Sequence, residues 1–258
     1  MGWPHSIAAS RRRDPEHLLA TPFLSVIIPS YNEERRIGPT LQEVLRFLDE
    51  QPYTWEVVVV DDGSTDDTAA IASAFARKME GPVRVMTVAH RGKGWAVKRG
   101  MLEAKGRYRF MADADLAMPI DQLIGFLDRM AEGYDIVIGS RQIAGARRYD
   151  ESASRHVMGR VFNWVTRNFA VRGFQDTQCG FKCFRGEVAD ELFTRQKTDG
   201  FGFDVEILYV ASKRGMRILE MPIDWYHQRS SKVRPVVDTF LMLRDILSIR
   251  LRDIRGRY

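Results

Sequence analysis

Cysteine is nearly missing from this chain: Cys179 and Cys183 are the only two in 258 residues. Two cysteines four positions apart are too few for a disulfide framework or a zinc site, and they fit a reducing compartment. No apolar run approaches the roughly 20 residues that a membrane-spanning helix needs. The chain starts with a short, weakly apolar stretch followed by Arg11, Arg12 and Arg13, the reverse of a secretory signal. Residues 1–20 therefore read as a loosely ordered arm, and a cytoplasmic protein is expected, peripheral on the inner face of the membrane if it meets one. Glycine patterns for nucleotides are lacking too, with no G-x-G-x-x-G after the first apolar run and no G-K-S/T. Dehydrogenase and P-loop classes drop out. Lys and Arg exceed Asp and Glu by five (39 against 34), which hints at an anionic partner without identifying it. The basic residues lack the interleaved stacking aromatics of a nucleic-acid module, so none is expected as a partner.

What is present is a regular alternation. From Phe23 onward, "FLSVIIP" (23–29), "WEVVVVDD" (55–62), "VRVMTVA" (83–89), "YRFMADA" (108–114) and "DIVIGS" (135–140) are β-branched or aromatic runs. Between them lie helical spacings such as Ile37, Leu41, Val44, Leu45 and Leu48, or Ala69, Ala72, Phe75, Ala76 and Met79. Near-continuous apolar strands with helical crossovers predict an α/β fold, a mostly parallel central sheet with helices on both faces. After Arg141 the texture changes: residues 141–172 carry seven arginines, with helical spacing from Val157 through Phe169. A helix around 204–214 and a strand around 216–226 follow. No linker-like composition divides residues 21–232, and an amphipathic helix is expected over 233–258.

In open parallel sheets, ligands bind beyond the carboxyl ends of strands. There the sequence places "PSYNEE" (29–34), "DDGSTDDT" (61–68) and "DADL" (113–116). Strand side chains alternate, so Asp113 and Asp115 can leave the sheet on one side. Two hard oxygen ligands with open positions suit Mg²⁺ or Mn²⁺, which takes substrate phosphates as further ligands. The plainer alternative is that one aspartate caps the helix whose start Pro119 marks. Asp61 and Asp62 can accept hydrogen bonds from a base or ribose, although Ser64, Thr65 and Asp67 also suit a helix start. Tyr31 can stack on a base and Glu33 can accept from a ribose hydroxyl, or both are ordinary loop residues. "RGKG" (91–94) is by itself only a glycine-rich turn.

Taken in order and approximate spacing, "PSYNEE", "DDGSTDDT", "RGKG" and "DADL" resemble the family 2 glycosyltransferases of the GT-A (nucleotide-diphospho-sugar transferase) fold. "GSR" (139–141), "QDTQCGFKCF" (175–184), "GFDVEILYVA" (202–211), "RSSK" (229–232) and "LMLRDILSIRLRD" (241–253) narrow the resemblance to polyprenyl-phosphate sugar synthases, most of all to dolichyl-phosphate β-glucosyltransferases. The resemblance implies that Pro29, Tyr31, Glu33, Asp61 and Asp62 hold the nucleoside, with Lys93 at the donor phosphates. Asp113 and Asp115 would bind the metal. Arg141, Arg155, Arg229, Ser231 and Lys232 would meet the acceptor phosphate or departing nucleotide, and the Gln178 segment would shape the sugar and acceptor end. It further implies inverting transfer of a hexose, glucose from UDP-glucose before mannose from GDP-mannose, onto a polyprenyl monophosphate. The rivals are a hydroxyl acceptor with Asp204 as base, and a silent nucleotide-sugar-binding protein. A homo-oligomer is left open.

Two departures from the pattern matter. Mannosyl relatives often carry a glutamine just after D-x-D, where this chain has Leu116, Ala117 and Met118, so water or Asp204 is left as the third metal ligand. Asp204 suits the N-cap of its helix equally well. Glucosyl relatives typically carry an N-terminal membrane helix that this sequence lacks. A lipid acceptor would then be met by the domain surface, for which the stripe Val236, Phe240, Leu243, Leu247, Leu251 and Ile254, flanked by Arg244, Arg250, Arg252, Arg255 and Arg257, is the candidate. Packing of that stripe onto the domain's own core is the even alternative.

Overall fold

A computed structural model describes residues 21–79, 81–149, 171, 173–227 and 235–258, without the side chains of 235–240 and 242. Four parallel strands open the fold: β1 (Leu24–Ser30), β2 (Trp55–Asp61), β3 (Val83–Thr87) and β4 (Tyr108–Met111). Helices α1 (Ile37–Asp49), α2 (Thr68–Met79) and α3 (Lys93–Glu103) make the crossovers between them. A short 3₁₀ turn at Ile120–Gln122 leads into α4 (Leu123–Ala131), and β5 (Ile136–Ser140) follows. The later elements are β6 (Arg147–Tyr149), β7 (Lys182–Arg185), α5 (Gly186–Arg195), α6 (Phe203–Lys213), β8 (Ile218–Pro222), β9 (Asp224–Tyr226) and α7 (Pro235–Ile254).

The main sheet has the order β3-β2-β1-β4-β7-β5-β8. Among the described strands of this sheet only β7 runs against its neighbours, pairing antiparallel with both β4 and β5. The expected mostly parallel sheet is therefore found, with one reversed strand that the sequence reading did not separate from its motif. The single strand expected around 216–226 is two. Pro222 ends β8 opposite Ser140, Ile223 is buried, and the chain then steps across to pair β9 with β6 in a two-stranded ribbon. Proline has no N–H to continue a ladder, which suits a strand that changes sheets there.

Strand alternation decides the core. Val26, Ile28, Val57, Val59 and Phe110 enter the layer that holds α1 and α4. Ile27, Val58, Val60 and Met111 enter the opposite layer, with α3, α5 and α6. Both faces of these strands are thus apolar, as a sheet covered on two sides requires. The helical spacing read over α1 is exact in burial: Ile37, Leu41, Val44, Leu45 and Leu48 all face the core. Because β1, β2 and β4 are adjacent and parallel, their polar carboxyl ends share one rim.

Candidate active site

At that rim β1 and β2 hand over to two loops stitched together by short polar contacts. The Asn32 amide donates to Ser64 Oγ at 2.9 Å, the Thr65 amide donates to Asn32 Oδ1 at 2.8 Å, and the Glu33 amide donates to Thr68 Oγ1 at 2.6 Å. Asn32 sits at φ 52°, in the left-handed region that asparagine tolerates better than most residues. Pro29 lies in β1 opposite Val60. The Tyr31 ring stacks on His90 with centroids 4.1 Å apart, and Glu33 accepts from Arg36 Nε at 2.5 Å.

The two neighbouring aspartates at the end of β2 have different surroundings. Asp62 accepts from the amides of Arg91 (3.1 Å) and Gly92 (2.9 Å) and faces His90 Nδ1 at 2.8 Å, so its carboxylate fixes the turn that opens α3. Asp61 accepts from the Ser64 amide through Oδ2, whereas its buried Oδ1 has no hydrogen-bond partner among the described residues. A buried carboxylate oxygen without a partner is costly in isolation and calls for a donor from a ligand. The Asp62-held turn places Gly92 at φ 122°, conformationally natural for glycine, and Lys93 at the first position of α3.

Lys93 Nζ donates to Asp113 Oδ1 at 2.6 Å. Asp113 and Asp115 follow β4 as expected, and neither caps the next turn: Pro119 is its N-cap position, with no side-chain cap. Asp115 Oδ1 accepts instead from the Ala117 amide at 3.2 Å, while Thr40 Oγ1 holds the Ala114 carbonyl at 2.7 Å from α1. Between them Leu116 adopts φ 43°, a left-handed conformation costing on the order of 1 kcal/mol in a branched L-residue. Burial raises the Asp113 carboxyl, but Lys93, with Lys182 and Arg141 behind it, brings it below the usual range. Burial and then the Asp113 charge push Asp115 the other way, upward. A second cation would relieve that repulsion, so hard divalent chemistry fits this pair. Among the described residues no third His, Cys, Asp or Glu joins it.

Asp204 stands elsewhere in the network. It is neither the N-cap of α6, which is Gly202, nor, among the described residues, a member of a three-acid cluster. Its Oδ1 accepts from Lys182 Nζ at 2.6 Å, with both side chains buried. Lys182 also donates to the Cys179 carbonyl. On the far side, Arg141 grips fully buried Asp176 through Nε (2.7 Å) and Nη2 (2.9 Å), and lies 5.5 Å from the Trp225 ring centroid. Asp113, Lys93, Asp204, Lys182, Asp176 and Arg141 thus alternate in sign beneath the rim. Burial raises the Cys179 thiol in this setting to about 12, keeping it uncharged.

The loop from Asp176 to Gly180, which includes Gln178, is drawn against the acidic pair. A Cβ on Gly180 would fall 1.9 Å from Asp113 Oδ2, so no side chain larger than hydrogen fits there without displacement. Asp176, Gly180 and Lys182 lie within "QDTQCGFKCF", and nothing in that pattern by itself marks their roles. A lysine inside "CGFKCF" was the available sign of a buried charge needing a partner. Arg155, Arg229, Ser231 and Lys232, expected around the acceptor, lie outside the described residues, as do residues 150–170 and 172 of the arginine-rich segment 141–172.

The stripe expected on the last helix is divided by the structure. Ile246 and Ile249 are buried in the core layer with α6. Leu247, Leu251 and Ile254 are 66%, 52% and 82% exposed, among exposed Arg244, Arg250, Arg255 and Arg257. The side chains of Val236 and Phe240 lie outside the described residues. Two buried isoleucines contribute on the order of 4 kcal/mol, enough to seat the helix without the outer leucines. Among the described residues no helix is long and apolar enough to cross a membrane.

Comparison with known proteins adds three findings. The sequence model of glycosyl transferase family 2 matches residues 25–193. Dolichyl-phosphate beta-glucosyltransferase of Drosophila melanogaster is 37% identical over 249 residues, covering 91% of this chain and 76% of the relative. The Dictyostelium discoideum protein of the same name is 34% identical over 247 residues, covering 91% and 76%. Among solved structures, glucosyl-3-phosphoglycerate synthase from Mycobacterium tuberculosis, crystallised with Mn²⁺, uridine-diphosphate-glucose and phosphoglyceric acid, superposes with a TM-score of 0.63. It is 21% identical and covers 91% of this chain and 81% of its own, a likeness of fold.

Proposed function

The chain belongs to glycosyl transferase family 2 and is a glycosyltransferase, and from that premise we propose that it moves glucose from UDP-glucose onto a polyprenyl (dolichyl-type) monophosphate with inversion. One observation carries the reading: the Asp113–Asp115 pair at the end of β4, with Lys93 on the first turn of α3 only 2.6 Å from Asp113. Asp113 and Asp115 would hold Mg²⁺ or Mn²⁺, which supplies charge stabilisation for the leaving diphosphate. Lys93 adds a fixed positive charge to the same place, and burial around it strengthens that charge's effect. Asp61, whose Oδ1 has no partner among the described residues, and Tyr31 line the nucleoside side.

A phosphate monoester acceptor is already anionic near neutral pH, so no base must take its proton. Arg141 spends its Nε–Nη2 edge on Asp176, and this clamp holds the guanidinium in one orientation with Nη1 left for an acceptor anion on the other side of the rim. Asp204 is committed to Lys182, which supports an anionic acceptor over a hydroxyl one that would need a base. The lipid tail gives a role to the outer face of α7. Exposed Leu247, Leu251 and Ile254 beside four arginines suit an anionic lipid surface, with the helix lying in the interface plane.

The test is direct. Purified protein is given Mg²⁺ or Mn²⁺, a short-chain polyprenyl phosphate and a panel of nucleotide sugars, with the lipid product read by mass spectrometry. Glucosyl lipid formed from UDP-glucose and abolished by chelator is expected. Equal transfer to the corresponding polyprenol, or no transfer from any donor, overturns the reading.

A further inference from the structure

The last helix has a second edge, turned inward. Between α5 and α6 the chain passes through residues 196–202, and this loop lies directly against the turn that opens α3. The Trp95 amide, third in that helix, donates to the Asp199 carbonyl at 3.0 Å. Gln196 Nε2 donates to the Gly94 carbonyl at 2.8 Å, and Arg91 pairs with Asp199. Cβ atoms on Gly92 and Gly94 would fall 2.9 Å from Asp199 O and 2.8 Å from Gly200 O, so loop and turn are in backbone contact.

The same loop is gripped from behind. Fully buried Glu206, on α6, accepts from the amides of Lys197 (3.0 Å) and Thr198 (2.7 Å) through Oε2. Its other oxygen accepts from Arg252 at 3.1 Å and from the Tyr258 hydroxyl. Arg252 reaches Thr198 Oγ1 as well, at 3.3 Å. About two turns earlier on α7, Asp245 presses on the loop, since a Cβ on Gly202 would fall 2.5 Å from its Oδ2. A chain of direct contacts therefore runs from α7 through Glu206 and residues 196–202 to the backbone that carries Lys93.

We propose that Glu206 and Arg252 are positioning residues for the donor: they clamp the 196–202 loop so that the α3 turn holds Lys93 at the diphosphate. The assignment rests on the donor-site reading above and adds a role for the last helix that its outward leucines do not explain. Displacing Lys93 by about an ångström is enough to weaken a charge-assisted contact severely. The effect falls on donor affinity, because Arg141 and its Asp176 clamp stand on the other side of the rim.

Nucleotide binding separates the possibilities. UDP affinity in Mn²⁺ is measured by calorimetry, with Michaelis constants for UDP-glucose and for a short polyprenyl phosphate alongside. Arg252→Gln is expected to weaken UDP about tenfold, or roughly 1.4 kcal/mol, and to raise the donor constant in step while the acceptor constant stays put. Arg252→Lys, which keeps the charge, is expected to recover part of the loss. Glu206→Gln provides a second, near-isosteric break if Arg252→Gln folds poorly. Lys213→Gln loosens the same helix through Asp253, away from the loop, and is expected to leave donor affinity unchanged. Unchanged UDP affinity in both clamp variants, or an equal loss in Lys213→Gln, overturns the assignment while leaving the functional reading standing. A wild-type protein that binds no nucleoside diphosphate overturns both.

Discussion

The two halves of the main sheet handle their acids in opposite ways. In the β3-β2-β1-β4 half, carboxylates sit at strand ends and only partly find partners: Lys93 meets Asp113, but Asp61 Oδ1 has no partner among the described residues and Asp115 is raised by its neighbour. In the β7-β5-β8 half, each central acid is met by a cation: Asp176 by Arg141, Asp204 by Lys182, Glu206 by Arg252. The first half holds unsatisfied negative potential where a ligand would arrive. The second is charge-paired and acts as the frame, with Arg141 as the one paired cation among its described residues that also faces the rim. A site built this way needs both, because a rim of repelling carboxylates keeps its geometry only against a rigid neighbour.

The sharpest way to break the comparison is to neutralise the open half. Asp113→Asn and Asp115→Asn are each expected to lower the transfer rate by about a thousandfold, with the fold intact by circular dichroism. Strong loss of folding instead would mean that this pair, too, is frame. The converse substitution is Asp176→Asn, which leaves the Arg141 guanidinium without its counter-ion and should cost about 3 kcal/mol in a urea unfolding titration. Burial works against the Asp176 charge, but Arg141 outweighs it and holds the folded-state carboxyl below its unfolded value. Its stabilisation is therefore complete above the ordinary aspartate range, about 3.9, and is lost as pH falls through the lowered folded value. Thermal melts in acid should show the wild type losing stability there more steeply than Asp176→Asn.

Gly180 joins the halves, so Gly180→Ala tests whether they are separable. The added methyl strikes Asp113 Oδ2, and activity is expected to fall about a hundredfold through misplacement of the acidic pair, with a smaller stability change than in Asp176→Asn. The mildest change lies outside both halves. Leu247→Glu combined with Leu251→Glu should weaken flotation with anionic vesicles about tenfold and shift stability by less than about 0.5 kcal/mol, because both side chains face outward.

Much of the fold was legible because its signals are local. The apolar runs gave β1 to β5 within a few residues, and the α1 spacing named its buried face. The acidic strand ends stood out because a carboxylate directly after "VVVV" or "FMA" contradicts its surroundings. What stayed hidden was every feature resting on a distant partner. Reversed β7 is short, and its insertion between β4 and β5 depends on strands far away in the chain. Asp204 read as a helix cap or a metal ligand because its real partner, Lys182, is 22 positions away. Glu206 and Arg252, 46 apart, carried no pairing signal at all.

The last helix draws the line most clearly. Sequence alone predicted an amphipathic helix within 233–258 with an arginine-flanked apolar stripe, found as Pro235–Ile254, since periodicity is a property of the local chain. It did not determine which apolar residues face the protein, because Ile246 and Ile249 offer a second stripe only part of a turn away from Leu247 and Leu251. Tertiary structure decided that, turning the isoleucines inward where Asp253 meets Tyr209 and Lys213, and Arg252 meets Glu206. Helix rotation is set by the surface it docks on, and that surface exists only after the sheet and α6 have assembled.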